Sequence, residues 1–149
     1  MCGASTAVSF LVCDTFLLRG YYSDLPSSFI GKKYYALYLG NRALAHTVSQ
    51  HCFHAMVDGT FGLIPGRVSV LNVRSSQVLN VLADYKGAVI CILTVVMSGR
   101  KLPLYTEIFR WFATEFKAFR PKEIMTDFEP ALRVGIERAL PGTRVRGCK

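Results

Sequence analysis

Two segments of this 149-residue chain place a carboxylate where it could do chemistry. In His54-Ala-Met-Val-Asp-Gly-Thr-Phe61 an apolar run delivers Asp58, and Glu123-Ile-Met-Thr-Asp-Phe128 closes on Asp127. Two carboxylates brought to one point repel each other unless a cation bridges them. The natural cation is Mg²⁺ or Mn²⁺, a hard ion that takes carboxylate oxygens and keeps several waters. A pair of such ions ~4 Å apart can activate an attacking oxygen and stabilise the leaving oxygen at a phosphodiester. A cluster of that kind normally needs a third acid. Each aspartate also has a plainer reading. Asp58-Gly59 is a strong signal for a tight hairpin turn, because both residues tolerate positive φ. Asp127, shortly before Pro130, suits the cap of a helix N-terminus, where a carboxylate also meets the helix dipole.

The other candidates are weaker. His51, Cys52 and His54 are potential zinc ligands, but they lie closer together than zinc ligands usually do and number fewer than four. Ser75-Ser76 and the single Trp111 show no triad partners, and neither a P-loop nor a glycine-rich dinucleotide fingerprint occurs.

The elements that must position the two aspartates are readable from residue 53 onward. Phe53–Phe61 predicts a strand, followed by a loop containing Gly62, Pro65 and Gly66. Val78–Tyr85 predicts a second strand, Lys86-Gly87 a turn, and Ala88–Met97 a third strand, apolar on both faces as in a sheet covered on both sides. The pattern then changes period. Tyr105, Phe109, Phe112, Phe116 and Phe119 form the stripe of an amphipathic helix that Pro121 ends. Glu123–Phe128 predicts a fourth strand. Pro130 opens a second helix at a position where proline is tolerated, with Leu132, Ile136, Ala139 and Leu140 on its buried face. Pro141-Gly142 stops that helix, and Thr143–Cys148 predicts a fifth strand.

Three antiparallel strands followed by α-β-α-β right-handed crossovers is the ribonuclease H-like α/β layout, a mixed sheet that this chain would leave incomplete at its C-terminal end. In that layout the first and fourth strands lie side by side and parallel. Asp58 and Asp127, 69 positions apart, then converge.

Composition sets the class of partner. Apolar residues make up 51% of the chain and charged residues 19%, enough for a sizeable core and unlike a disordered segment. The net charge is +8, from 18 basic and 10 acidic residues, and it favours a polyanionic partner, nucleic acid above all. From Arg100 to Lys149 there are 11 basic residues against 6 acidic ones, so the C-terminal third carries most of the excess. Five scattered cysteines, Cys2, Cys13, Cys52, Cys91 and Cys148, argue for a reducing compartment. Cys91, inside an apolar run, reads as a small buried hydrophobe. The run Ser9–Cys13 has no basic residue before it, as a signal peptide would, and Ala88–Met97 is far too short to span a membrane. Residues 1–50 resist assignment, although "DLPSSFIGKKYY" interleaves aromatics with Lys32 and Lys33 in a way that could stack bases and pair phosphates.

"MVDGTFGLIP" and "IMTDFEPALRVGIERALPGTRVRGC" closely resemble the Mutator-like element (MULE) transposase domain, and "LPLYTEIFRWF" is similar to the segment that lies between them in that family. The resemblance covers residues 54–148, about two-thirds of the chain. It implies a ribonuclease H-like DDE/D domain over residues 51–149, behind an unassigned N-terminal extension over residues 1–50. Asp58 and Asp127 would be the first two acids of the triad and would bind Mg²⁺ or Mn²⁺ for strand cleavage and transfer at transposon ends. Gly59 would let the backbone bend away beside the site. The third family acid lies on a helix beyond the Gly-Cys strand. The chain ends at Lys149 before that point, and Glu129 and Glu137 belong to the helix after the second acid and do not replace it. Cys148 has no visible partner. DNA would meet Arg133, Arg138, Arg144 and Arg146 through its phosphates. The resemblance implies a nuclear location if the chain is functional and an intracellular soluble one otherwise, and self-association is compatible with it. The same residues leave open a domesticated relative that binds DNA or regulates without catalysis, and a gene fragment without function.

Overall fold

A computed structural model of the chain describes residues 8–9, 17–24, 33–60 and 77–147. They build a mixed α/β structure whose strands are β1 (Val8–Ser9), β2 (Leu17–Asp24), β3 (Lys33–Gly40), β4 (His54–Thr60), β5 (Gln77–Tyr85), β6 (Ala88–Met97), β7 (Glu123–Thr126) and β8 (Arg144–Gly147). Helices α1 (Arg42–Ser49), α2 (Leu102–Glu115) and α3 (Pro130–Ala139) connect them. One eight-stranded sheet results, ordered β1-β2-β3-β6-β5-β4-β7-β8. The β4-β5-β6 meander is antiparallel, whereas β4, β7 and β8 run parallel.

The elements follow from local chemistry. Along β4, Ala55 and Val57 are buried while His54, Met56 and Asp58 are exposed, the two-residue alternation of a strand with one covered face. Strand β5 repeats it, burying Gln77, Leu79, Val81 and Ala83. The tight β5–β6 turn uses Lys86 at φ 52° and Gly87 at φ 80°, left-handed backbone that glycine adopts freely. Over the covered face, α2 buries Leu104, Tyr105, Ile108, Phe109 and Phe112, and α3 buries Leu132 and Ile136. Phe112 and Phe119 meet edge to face with ring centroids 4.6 Å apart.

Two differences from the sequence expectations have physical causes. Helix α2 stops at Glu115 rather than running to Phe119: Phe116 leaves helical backbone while its N–H still bonds the Phe112 carbonyl at 2.9 Å. The aromatic stripe stays buried through the turn that follows, so burial, not helix, carries the periodicity to its end. Cys91 is exposed rather than buried. Strand β3 pairs only with Thr94–Met97 of β6, so the first part of β6 has β5 on one side and nothing described on the other. Residues 33–50 also join the sheet and core: β3 extends it beyond β6, Tyr38 stacks on Trp111 at 4.0 Å, and Arg42 of α1 pairs with Glu115 of α2.

The end of the first meander strand at Phe61, the Gly62–Gly66 loop, Ser75-Ser76, Cys2, Cys13, Cys148 and most of "DLPSSFIGKKYY" lie outside the described residues. Among the described residues, no helix is long and apolar enough to cross a membrane.

Candidate functional site

The topology brings five polar residues to one end of the sheet. Strand β4 runs antiparallel to β5 and parallel to β7, so the end of β4, the start of β5 and the end of β7 coincide. These carry Asp58, Gln77 and Asp127. Helix α2 begins after β6 reaches the same end, where Met97 pairs with Gln77, and it contributes Tyr105 from its first turn. Helix α3 leaves from β7 with Glu129 at its N-cap. In open α/β sheets this position, outside the carboxyl ends of parallel strands where the order reverses, is where ligands bind.

Asp58 lies inside a strand, which excludes the hairpin-turn reading. It pairs with Asn80, and Gly59 and Thr60 continue the ladder opposite Leu79 and Val78. The backbone does not bend away at Gly59, whose φ is not positive. The glycine is required for another reason. A Cβ there would lie 2.1 Å from the Gln77 Nε2 position and 3.7 Å from Asp127 Oδ2. The Gln77 amide occupies the space a side chain would need.

The parallel pairs between β4 and β7 end at Val57↔Thr126, and the next register step sets Asp58 beside Asp127. Asp127 is anchored twice. Its Oδ1 accepts the Glu129 N–H at 3.1 Å, and the Thr126 hydroxyl donates to its carbonyl at 2.6 Å. One carboxylate oxygen thus steadies the entry to α3, while the N-cap position itself belongs to Glu129. The other, Oδ2, is turned toward β4. The Asp58 side chain is exposed and makes no hydrogen bond or ion pair with any described residue.

Beneath them, the Tyr105 hydroxyl lies 2.9 Å from both Gln77 Oε1 and Glu129 Oε2. Burial, and then the neighbouring Glu129 charge, push the phenol well above its ordinary range, so it keeps its proton. Sequence reasoning missed Gln77 and Tyr105 as site residues. A signal for Gln77 was present, because it stands in phase with the apolar residues Leu79, Val81 and Ala83.

The four arginines do not gather at this end of the sheet. On β8, Arg144 stands opposite Glu123 and Arg146 two residues further on, and the Glu123 carboxylate is 2.9 Å from Arg146 Nε and 4.0 Å from Arg144 Nε. Arg138 is exposed in the last turn of α3, at the end away from the aspartates. Arg133 is half-buried, and its Nε has no partner among the described residues. The histidine-cysteine segment builds no zinc site. Cys52 is buried, donates to the His54 carbonyl at 3.2 Å, and has its thiol pushed up to about 11, mainly by burial. Among the described residues no three His, Cys, Asp or Glu side chains group as metal ligands.

No protein-family model, curated protein or solved structure matches the chain.

Proposed function

We propose that the chain is a ribonuclease H-like domain of the Mutator-like transposase type, acting on DNA phosphodiesters with Mg²⁺ or Mn²⁺ held by Asp58 and Asp127. The observation that carries this reading is the parallel β4–β7 pairing, which sets the two aspartates side by side at a carboxyl end. The strand order β6-β5-β4-β7-β8 supports it, since it is the order the ribonuclease H-like layout requires. The residues present fit a cation: Asp127 Oδ2 is turned toward β4, and the exposed Asp58 side chain has no partner among the described residues, which leaves carboxylate oxygens for a hard ion. The bound metal would supply charge for activating an attacking oxygen and stabilising a leaving one. The chain's own part is orientation: the β4 ladder fixes Asp58, and the Glu129 N–H fixes one oxygen of Asp127 so that the other faces inward.

Calorimetric titration of Mg²⁺ and Mn²⁺ into the wild-type chain, Asp58→Asn and Asp127→Asn tests this. The wild type should give metal-dependent heat that each substitution weakens at least about tenfold, as expected for the loss of one charged ligand. Absence of heat from the wild type overturns the reading. A DNA-binding role without catalysis rests on the basic β8 edge and uses neither aspartate. It is favoured instead if DNA affinity falls steeply with salt while Asp58→Asn leaves metal response and DNA affinity unchanged.

A further inference from the structure

A polar line crosses the sheet at the level of Asp58, on the face turned away from α2 and α3. The β4–β5 ladder sets Asp58 opposite Asn80, and the β5–β6 ladder sets Asn80 opposite Thr94. Asp127 stands on the other flank of Asp58, one register step past the Val57↔Thr126 pair. Side chains alternate between the two faces of a strand, so residues paired directly across strands share a face. Asn80 and Thr94 therefore share the face of Asp58, opposite to the buried Leu79, Val81 and Val95. The lines on either side are apolar: Met56 faces Leu82, and Val78 faces Val96. Each polar residue interrupts an apolar strand, Asn80 in Val78-Leu-Asn-Val-Leu82 and Thr94 in Cys91-Ile-Leu-Thr-Val-Val96.

The two ends of the Asn80 amide differ in what they meet. The Thr94 hydroxyl donates to Asn80 Oδ1 at 2.9 Å. Asn80 Nδ2 makes no hydrogen bond with any described residue, and the side chain is half-buried. The Asp58 carboxylate on the neighbouring strand favours this orientation, because an amide N–H attracts a negative charge and an amide oxygen repels it. The line thus holds an amide fixed at its oxygen and free at its nitrogen, beside a carboxylate without a partner. A DNA phosphodiester matches that arrangement with two non-bridging oxygens, one for the aspartate side and one to accept an N–H.

We propose that Asn80 binds the DNA phosphodiester, donating a side-chain N–H to a non-bridging oxygen beside Asp58 and Asp127, and that Thr94 is the positioning residue that fixes the amide. The inference rests on the proposed function above. A neutral donor suits the place, because a lysine or arginine there would compete with a cation for the aspartates.

The test follows binding of a fluorescein-labelled DNA duplex in Mg²⁺ by anisotropy over a salt series, in the wild type, Asn80→Ala, Thr94→Val and Thr94→Ser. Asn80→Ala should weaken binding about tenfold, as for the loss of one hydrogen bond to a charged group. Its salt slope should equal that of the wild type, since the slope counts cations and the amide carries none. Thr94→Val keeps the shape and removes the hydroxyl, so it should lose about threefold, and Thr94→Ser should restore the affinity. Unchanged affinity in Asn80→Ala, or an altered salt slope, overturns the assignment. Calorimetry with Mg²⁺ separates the possible failures. If Asp58→Asn loses the metal heat while Asn80→Ala binds DNA as the wild type does, the aspartate site stands and the role of Asn80 falls. If Asn80→Ala itself loses the metal heat, the amide oxygen serves the ion and the donor role is overturned. A wild type with neither metal heat nor DNA affinity overturns both readings. In the ¹⁵N-labelled wild type, added DNA should shift the Asn80 side-chain NH₂ resonances. A role confined to the Asn80–Thr94 pair would leave them in place and overturn the proposal.

Discussion

The two faces of the central strands share one backbone and differ in what lies over them. The face formed by Val57, Leu79, Val81, Val95 and Ile124 is sealed by α2 and α3, and every one of these side chains is buried. The opposite face presents Met56, Val89 and Met125, with Val89 64% exposed, around a groove of about 250 Å³ that also reaches His54, Leu82 and Glu123. Asp58 belongs to this open face, and Phe128, 65% exposed, lies close by against Gly147 of β8. The sealed face turns polar at one end, where Gln77, Tyr105 and Thr126 enter it. The sealed face fixes the fold, and the polar end and the open face are where a ligand could act.

The largest effect should come from breaking the sealed face. Phe109→Ala removes a fully buried ring between α2 and the sheet, and truncations of that kind cost about 3–5 kcal/mol. Met125→Ala, on the open face, should cost under about 1 kcal/mol, because the side chain already meets water. Urea unfolding of both variants checks the contrast. Equal losses would mean that the open face is covered in solution.

A second contrast sets Cys52, buried, against Cys91, exposed. The Cys52 thiol is raised from 9.0 to about 11, chiefly by burial. Between those pH values the unfolded chain ionises this thiol while the folded chain keeps it neutral, so the unfolded state binds fewer protons. Stability from this group is therefore intact below pH 9 and is lost as pH rises toward 11, by roughly 3 kcal/mol at the upper limit. Cys52→Ala should flatten that alkaline limb relative to the wild type. Peptide mapping after brief iodoacetamide treatment should find Cys91 modified well before Cys52. A Cys52 that reacts as fast as Cys91 would show that this part of the sealed face opens readily.

Most of the meander and both long helices were legible because each shows its period over enough residues. The alternation of Ala55 and Val57 with Met56 and Asp58, and the stripe from Tyr105 to Phe112, are patterns that burial itself creates. Helix α1 was not legible, since an eight-residue helix offers about two turns of pattern. Its stability comes from Ala45 and Val48 entering the core and from Asn41, whose side chain accepts the Leu44 N–H. Strand β3 carries tyrosines without clear alternation and is defined by its pairing with β6, a contact nearly sixty positions away. The site was half legible for the same reason. Asp58 and Asp127 stand out as acids at strand ends, but the setting of Gln77 depends on Tyr105 and Glu129, which reach it only through the fold.

Gly59 joins the two faces, and a double substitution measures how tightly. Its backbone is ordinary extended strand, so alanine there suffers no conformational penalty. The cost arises from space. The new Cβ would stand 2.1 Å from one end of the Gln77 amide and 3.2 Å from its Cδ, and the amide is held under Tyr105 with nowhere exposed to go. Gly59→Ala should therefore destabilise the metal-free protein by about 1–3 kcal/mol, the usual range for overpacking. In a Gln77→Ala background the obstruction is gone, and the same substitution should cost less than about 0.5 kcal/mol, leaving a coupling energy between the two positions. Urea denaturation of the wild type, both single variants and the double variant closes the cycle. If Gly59→Ala costs the same in both backgrounds, the glycine answers to something other than Gln77. A large coupling would tie the polar end of the sealed face to the strand that carries Asp58.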